Sequence, residues 1–205
     1  MTGAKRFDTK RLAVLGLFSA IVVVLQFVCM TFLRFTAFSI TLTLVPIVVG
    51  AALYGKKAGA WLGFVFALAV LLTGDAAAFL TVNAFGTIVT VVAKGVLAGF
   101  CSGLIYRLFE KKNMTFAVFA SAVIAPIVNT GVFLLGCLVF FMPTVREWGA
   151  AAGFENVGAY FIVGFVGINF VIELVVNVIL GPIIVRLIRV ARKQGIGDKN
   201  PAAKK

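Results

Sequence analysis

Residues 84–112 read AFGTIVTVVAKGVLAGFCSGLIYRLFEKK, an apolar run that ends in a cluster of basic residues. A helix needs ~20 predominantly apolar residues to cross the hydrocarbon of a bilayer. The run at 84–105 has that length, and Arg107, Lys111 and Lys112 mark where the helix would leave the membrane. Similar runs occupy residues 12–32, 40–54, 58–72, 116–142 and 160–185. Together they predict an all-α integral membrane protein with six transmembrane helices.

The overall composition agrees with a membrane protein and disfavours a soluble one. Of the 205 residues 62% are hydrophobic and only 13% are charged. A soluble domain of this size could not keep so many apolar residues away from its surface. The net charge of +12 could indicate a nucleic-acid partner. However, the basic residues stand at the ends of apolar runs and form no patch interleaved with stacking aromatics. We therefore expect a lipid bilayer as the partner, and no nucleic acid.

The positions of the basic residues predict the orientation. They cluster before the first run and after the second, fourth and sixth runs, so every second connection is basic. Cytoplasmic loops carry such an excess of Lys and Arg, which predicts cytoplasmic N- and C-termini. The clusters are Lys5, Arg6, Lys10 and Arg11; Lys56 and Lys57; Arg107, Lys111 and Lys112; and Arg186, Arg189, Arg192 and Lys193. Residues 1–193 are expected to form one six-helix membrane domain, and residues 194–205 a polar, disordered cytoplasmic tail.

Several kinds of chemistry are missing from the sequence. It contains no histidine, which removes Ser-His and Cys-His nucleophile pairs and most zinc sites. The segment Gly55-Lys56-Lys57 lacks both the upstream glycine and the following Ser or Thr of a phosphate-binding loop. We therefore predict that the chain is not an enzyme and holds no metal or cofactor. Any ATP hydrolysis would belong to another chain.

Polar residues within the apolar runs are the candidates for substrate binding, because burying them in lipid is costly unless they are partnered or functional. In the fourth helix, polar residues recur at intervals of four, three and four, which places them in one stripe along the helix. In the sixth, polar residues spaced by four form a second stripe. The fifth run adds an adjacent pair just after Pro126. The candidates are Asn83, Thr87, Thr90 and Lys94; Asn169, Glu173 and Asn177; and Asn129 and Thr130.

Depth in the membrane suggests which of these candidates could meet. Lys94 lies thirteen residues before Arg107, and Glu173 thirteen before Arg186. At ~1.5 Å per residue, both would sit ~20 Å above the inner boundary. They could form an ion pair that fixes helix register, or contact a ligand, and a pair could do both. Threonines can bond back to the preceding turn, so the asparagines are the better ligand candidates.

Small residues recur at the four-residue spacing that lets helices approach closely in lipid. Gly59 with Gly63, and the triple Gly95, Gly99 and Gly103, are expected to pack inside the protein. Gly16 and Ala20 in the first run could serve either internal packing or a partner.

Four segments carry a resemblance to a known family. They read TKRLAVLGLFSA at 9–20, SITLTLVP at 39–46, YGKKAG at 54–59 and APIVNTG at 125–131. With the size and helix number, these segments resemble the substrate-binding S components of energy-coupling-factor (ECF) transporters, which import vitamins into bacteria. The resemblance implies a multi-pass protein of the bacterial plasma membrane that captures its vitamin outside. A transmembrane coupling protein and two ATPase subunits would drive the release inside.

The resemblance also implies a partner surface and a substrate. In that family a small-xxx-small pattern on the first helix meets the coupling protein; Gly16 and Ala20 match it, and Ala13 would extend it one turn earlier. The segments around Pro46 and Asn129 are most similar to pantothenate-type members, and Lys94 could balance a carboxylate. Riboflavin and other water-soluble vitamins remain alternatives.

The main rival hypothesis is a self-sufficient secondary transporter or channel, in which Lys94 and Glu173 relay protons or ions. The small size and the lack of a visible inverted repeat disfavour it. A membrane-embedded enzyme is a third possibility, disfavoured because Asp75 and Glu173 are the only acidic residues near the membrane interior.

Overall fold

The computed structural model describes residues 9–32, 34–35, 38–39 and 42–197. Of these, residues 34–35, 38–39, 162, 164–166 and 168–169 are described by their backbone alone. The described chain is almost entirely helical. In order, its elements are α1 (Thr9–Phe32), β1 (Arg34–Phe35), β2 (Phe38–Ser39), α2 (Leu44–Tyr54), α3 (Lys56–Leu72), α4 (Ala77–Leu80), α5 (Ala84–Phe109), α6 (Met114–Phe140), α7 (Met142–Ala151), α8 (Val157–Ala159), a π-helix (Tyr160–Gly167), α9 (Ile168–Ile179) and α10 (Gly181–Lys193).

The lengths of the helices confirm an all-α membrane protein but not the number of spans. Within the described ranges, α1, α5 and α6 have 24, 26 and 27 residues and are each long and apolar enough to cross a bilayer. The bent pair of α9 and α10 would make a fourth span. The helices α2 and α3 have only 11 and 17 residues. The six spans and the cytoplasmic position of both termini therefore stay predictions.

The second and third apolar runs form two helices, as expected from the lysines between them. The break is Gly55, whose φ of +85° lies in the region that favours glycine. Lys56 and Lys57 are exposed at the start of α3. The second run was predicted to begin at residue 40, whereas α2 begins at Leu44. Before it, β1 and β2 pair antiparallel, Arg34 with Ser39. Hydrophobicity alone did not reveal this short hairpin.

The sixth apolar run, predicted as one helix over 160–185, is divided in the structure. It begins as the π-helix, continues as α9 and bends by 47° into α10. Pro182 follows the bend directly. A proline lacks an N–H and its ring clashes with the carbonyl four residues earlier, so a straight helix cannot pass through this position.

The packing of α3 against α5 depends on glycines, as the sequence predicted. A Cβ on Gly59 would overlap the carbonyl oxygen of Gly99, and a Cβ on Gly63 would overlap that of Gly95. At Gly103 a Cβ would come within 2.7 Å of the Cα of Lys56. The backbones therefore approach as closely as small-residue faces in membranes allow.

Charged side chains gather at one end of the bundle, here called the basic end. Arg192 of α10 donates to Glu110 at 2.8 Å, and Arg107 lies 3.8 Å from the same carboxylate. Arg11 of α1 donates to the backbone oxygen of Tyr54 at 3.2 Å. These contacts link α10 to the end of α5, and α1 to the end of α2.

The main hydrophobic core lies between α2, α3, α5, α6 and α10, and a smaller cluster lies at the opposite end around Phe141 and Val145.

Part of the predicted tail packs against the bundle. Residues 194–197 follow α10, and Ile196 contacts the main core. Gly197 has a φ of +104° and lies beside Leu53 of α2. The disorder predicted for residues 198–205 lies outside the described residues.

Candidate functional site

A cavity of about 150 Å³ lies among α3, α4, α5 and α6, away from the basic end. Four of its lining residues carry polar side chains, and the other six are apolar. The polar residues are Asp75, Thr87, Thr90 and Lys94. The apolar residues are Val70, Ala76, Phe79, Val91, Phe133 and Phe141. A pocket with a few converging polar groups on an apolar wall is typical of small-molecule sites.

Lys94 of α5 brings a positive charge to the cavity wall. Its Nζ lies 5.2 Å from the ring centroid of Phe133 and 6.0 Å from that of Phe66, within the range of cation–π attraction. It forms no ion pair with any acidic side chain in the described ranges. Asp75 and Glu173 interact with it electrostatically, Asp75 more strongly. A half-buried ammonium with this much unused hydrogen-bonding capacity can receive an anionic ligand.

Asp75 supplies a negative charge to the same cavity. It lies between α3 and α4, and its Oδ2 accepts a hydrogen bond of 3.3 Å from Nε2 of Gln26 in α1. Gln26 is itself buried. Neither Asp75 nor Gln26 was among the binding residues predicted from the sequence. The signal for Gln26 was present, since it is a polar side chain in the middle of an apolar run.

The two threonines of α5 behave differently. Thr87 donates its hydroxyl to the backbone oxygen of Asn83 at 2.8 Å, as a helical threonine commonly does. The buried Oγ1 of Thr90 has no hydrogen-bond partner among the described residues. Thr90 is therefore available to a ligand in a way that Thr87 is not. Asn83 caps α5 by accepting from the N–H of Gly86 at 2.9 Å, which gives it a structural task.

Glu173 and two asparagines form a second polar group outside the cavity lining. The side chain of Asn129 lies close enough to the Glu173 carboxyl to interact with it, and Asn177 donates to the Glu173 backbone oxygen at 2.8 Å. All three residues are buried. Oxygen atoms of all three lack a partner in the described part of the chain: Oε1 of Glu173 and Oδ1 of each asparagine. This group lies within electrostatic reach of Lys94, but it forms no wall of the cavity.

Two predicted binding residues remain, Thr130 and Asn169, and the structure describes the side chain of the first alone. Thr130 follows Asn129 directly, but it lines a separate, almost entirely apolar groove with Leu134 and Phe161. Successive helix residues point ~100° apart, so neighbours in sequence need not share a site. The side chain of Asn169 lies outside the described residues, and only its backbone position in α9 is known.

Aromatic rings close one side of the cavity. The ring of Phe79 in α4 meets three others edge to face, with centroid separations of 5.0 Å to Phe141, 5.4 Å to Trp148 and 5.5 Å to Phe133. Such pairs add to the stability gained by burial alone. They hold α4, α6 and α7 together over the apolar wall, which would suit the hydrocarbon part of a ligand.

The surroundings of Gly16 on the outer face of α1 differ from those of the packed glycines of α3 and α5. Ala13, Gly16 and Ala20 are exposed, and a Cβ on Gly16 would have no described atom within 4 Å. Internal packing at Gly16, one of the two interpretations of this pattern, is therefore wrong. The face is free for lipid or for another protein.

Comparison with known families assigns the chain. Residues 10–185 match the model of the substrate-specific component of ECF transporters, which covers all the candidate site residues and the exposed face of α1. Comparison with curated proteins gives no match. The match agrees with the apolar helices and with a cavity that carries a few polar side chains, since these components are membrane proteins that bind a substrate. The chain belongs to the family of substrate-specific components of ECF transporters.

Proposed function

We propose that this component binds pantothenate, and that Lys94 holds its carboxylate in the cavity between α3, α4, α5 and α6. The observation that carries the proposal is the ammonium of Lys94, which lines the cavity and forms no ion pair with a described residue. Transferring a charged group into a membrane interior is costly, and a charged ligand that neutralises it recovers part of that cost.

The other lining groups fit the rest of this vitamin. Pantothenate has two hydroxyls and an amide, which need hydrogen-bond partners when buried. The Asp75 carboxylate accepts hydrogen bonds, and the hydroxyl of Thr90 can accept or donate. The geminal methyl groups would contact the rings of Phe79 and Phe133. The negative charge of Asp75 disfavours a second carboxylate, so the preferred ligand is a monoanion that carries hydroxyls.

Binding is expected to enlarge the cavity. Its volume of about 150 Å³ is below the ~300–1,000 Å³ typical of ligand pockets. The wall formed by Phe79 is the part we expect to yield, because α4 has only four residues and a helix this short has little stability of its own. We expect this wall to move outward when the vitamin enters.

Transport would require partner subunits in the bacterial plasma membrane. We propose that the exposed Ala13, Gly16 and Ala20 face docks on a transmembrane coupling protein, and that two ATPase subunits supply the energy. Close helix contact in lipid needs small side chains without internal partners, and Gly16 meets both conditions.

Panthenol, in which a hydroxymethyl group replaces the carboxylate of pantothenate, gives the sharpest binding test. The purified parent should bind pantothenate about 10- to 100-fold more tightly than panthenol, because a hydrogen bond to a charged group contributes ~1.5–3 kcal/mol. Lys94→Met should abolish that preference. Lys57→Met, which removes an exposed lysine of α3, is the matched control and should keep it. Equal affinity of the parent for both ligands, or affinity for neither, would refute the assignment.

Uptake into proteoliposomes distinguishes the rival secondary transporter. The chain alone should bind the vitamin without accumulating it, whatever proton or sodium gradient is imposed. Concentrative uptake driven by either gradient would favour the rival, in which Lys94 and Glu173 relay ions.

A further inference from the structure

A groove of about 580 Å³ lies at the basic end, where α10 passes the start of α6. It is separate from the substrate cavity and shares no lining residue with it. Its lining contains four basic residues and two apolar ones: Arg186, Arg189, Arg192, Lys193, Met114 and Val190.

The positive charge of this groove is only partly neutralised. Arg192 is paired with Glu110 at 2.8 Å, and Arg189 makes only a long contact of 3.4 Å with the hydroxyl of Thr115. Arg186 and Lys193 are exposed and form no ion pair within the part of the chain that the structure describes. The groove therefore presents three cationic side chains to an external anion.

The first turn of α6 adds to this positive potential. Met114, the first residue of the helix, lines the groove, so the positive end of the helix dipole faces it. Lys111 and Lys112 stand exposed just before this turn. Helix N-termini near basic side chains favour phosphate groups in particular.

An apolar stripe runs along the same helix beside these charges. Ile183, Leu187 and Val190 of α10 are 54%, 49% and 48% exposed, and their spacing places them on one side of the helix. Ile184 and Ile188, on the opposite side, are buried in the core. The outer surface of α10 thus combines hydrocarbon and cationic groups, as helices at the membrane–water boundary do.

We propose that this groove binds an anionic phospholipid, with its phosphate between Arg186, Arg189 and Lys193 and an acyl chain along Ile183, Leu187 and Val190. Basic pockets at the ends of transmembrane helices suit the headgroups of anionic lipids. The adjacent stripe selects a lipid over a free phosphate ion, because a free ion would gain nothing from exposed hydrocarbon.

Native mass spectrometry of the full chain, released from nanodiscs of phosphatidylcholine mixed with phosphatidylglycerol, tests the proposal. The parent should retain phosphatidylglycerol preferentially over phosphatidylcholine. Arg186→Gln and Lys193→Gln should each reduce that preference about fivefold, the effect of one basic residue at a lipid surface. Lys57→Gln, an equal loss of charge outside the groove, should leave it unchanged. Melting of each variant in phosphatidylcholine alone would show whether it is folded.

Two further measurements fix the identity of the occupant. Leu187→Ser keeps every charge and should still weaken phosphatidylglycerol retention, whereas inorganic phosphate in excess should fail to displace the lipid. If phosphate displaces it and Leu187→Ser has no effect, the groove is a site for free anions and the proposal is wrong. Equal retention of both lipids by the parent would also overturn it. So would charge variants that keep the lipid but lose the coupling protein, which would make the groove a protein contact.

Discussion

Gly16 and Gly99 lie in similar sequence patterns but in opposite environments, and enlarging each one should separate coupling from folding. Gly16→Leu places a side chain where a Cβ meets no described atom within 4 Å. Gly99→Leu places the same side chain against the carbonyl oxygen of Gly59, with the Cγ2 of Ile47 only 3.2 Å from the new Cβ.

The two substitutions should change the free energy of unfolding in different ways. At position 99 the backbones of α3 and α5 must separate, and overpacking of this kind costs ~1–3 kcal/mol, or more when backbone atoms must move. At position 16 leucine replaces glycine in an exposed helix interior, which is neutral or stabilises by up to about 1 kcal/mol. We therefore expect Gly99→Leu to be destabilised and Gly16→Leu to be as stable as the parent.

Binding and copurification assays then give the readout. Gly16→Leu should bind pantothenate normally but fail to copurify with a coexpressed coupling protein, because a larger side chain holds the helices apart. Leu135→Ala, which makes a residue on α6 smaller that is exposed to a degree similar to that of Leu17, serves as the control away from α1 and should keep the partner. A Gly16→Leu variant that loses affinity or stability, yet keeps its partner, would refute docking through this face.

Three further substitutions test individual contacts. Asp75→Asn removes an anionic acceptor from the cavity while keeping the shape that Gln26 contacts, and should weaken pantothenate binding by ~1–3 kcal/mol in calorimetry. Thr90→Val deletes a hydroxyl that has no described partner; affinity should fall by about 1 kcal/mol while the melting temperature holds or rises. Glu110→Gln removes the negative charge that Arg192 contacts at 2.8 Å and should cost ~1–3 kcal/mol of stability without changing pantothenate affinity, as measured by denaturant unfolding.

The long helices and their close packing were predictable because both depend on local pattern. The run at 84–105 corresponds to α5, which continues beyond the run to Phe109. Asn113 then caps the start of α6. The glycines of α3 and α5 were assigned to internal packing from their spacing alone, and the structure confirms it. Periodicity identifies a helix face, and small residues at that spacing indicate close approach.

The cavity was predicted only in part, because its other half is made by contacts between distant segments. Lys94 and Thr90 were expected to share a face of α5, and both line the cavity. Asp75 and Gln26 are 49 positions apart, and only the folded chain brings the loop against α1. The bend after α9 was missed because hydrophobicity continues through it, although Pro182 was a signal that could have revealed it. Thr130 was grouped with Asn129 by adjacency, which on a helix implies different directions.

The small molecule that copurifies with the protein tests the central claim most directly. Parent, Lys94→Met and Lys57→Met would be purified from cells grown in rich medium, and any retained compound identified by mass spectrometry. The parent and Lys57→Met should carry pantothenate, and Lys94→Met should carry little or none. A parent that carries no vitamin, or one that Lys94→Met retains equally well, would contradict the assignment of Lys94 as the carboxylate-binding residue of this site.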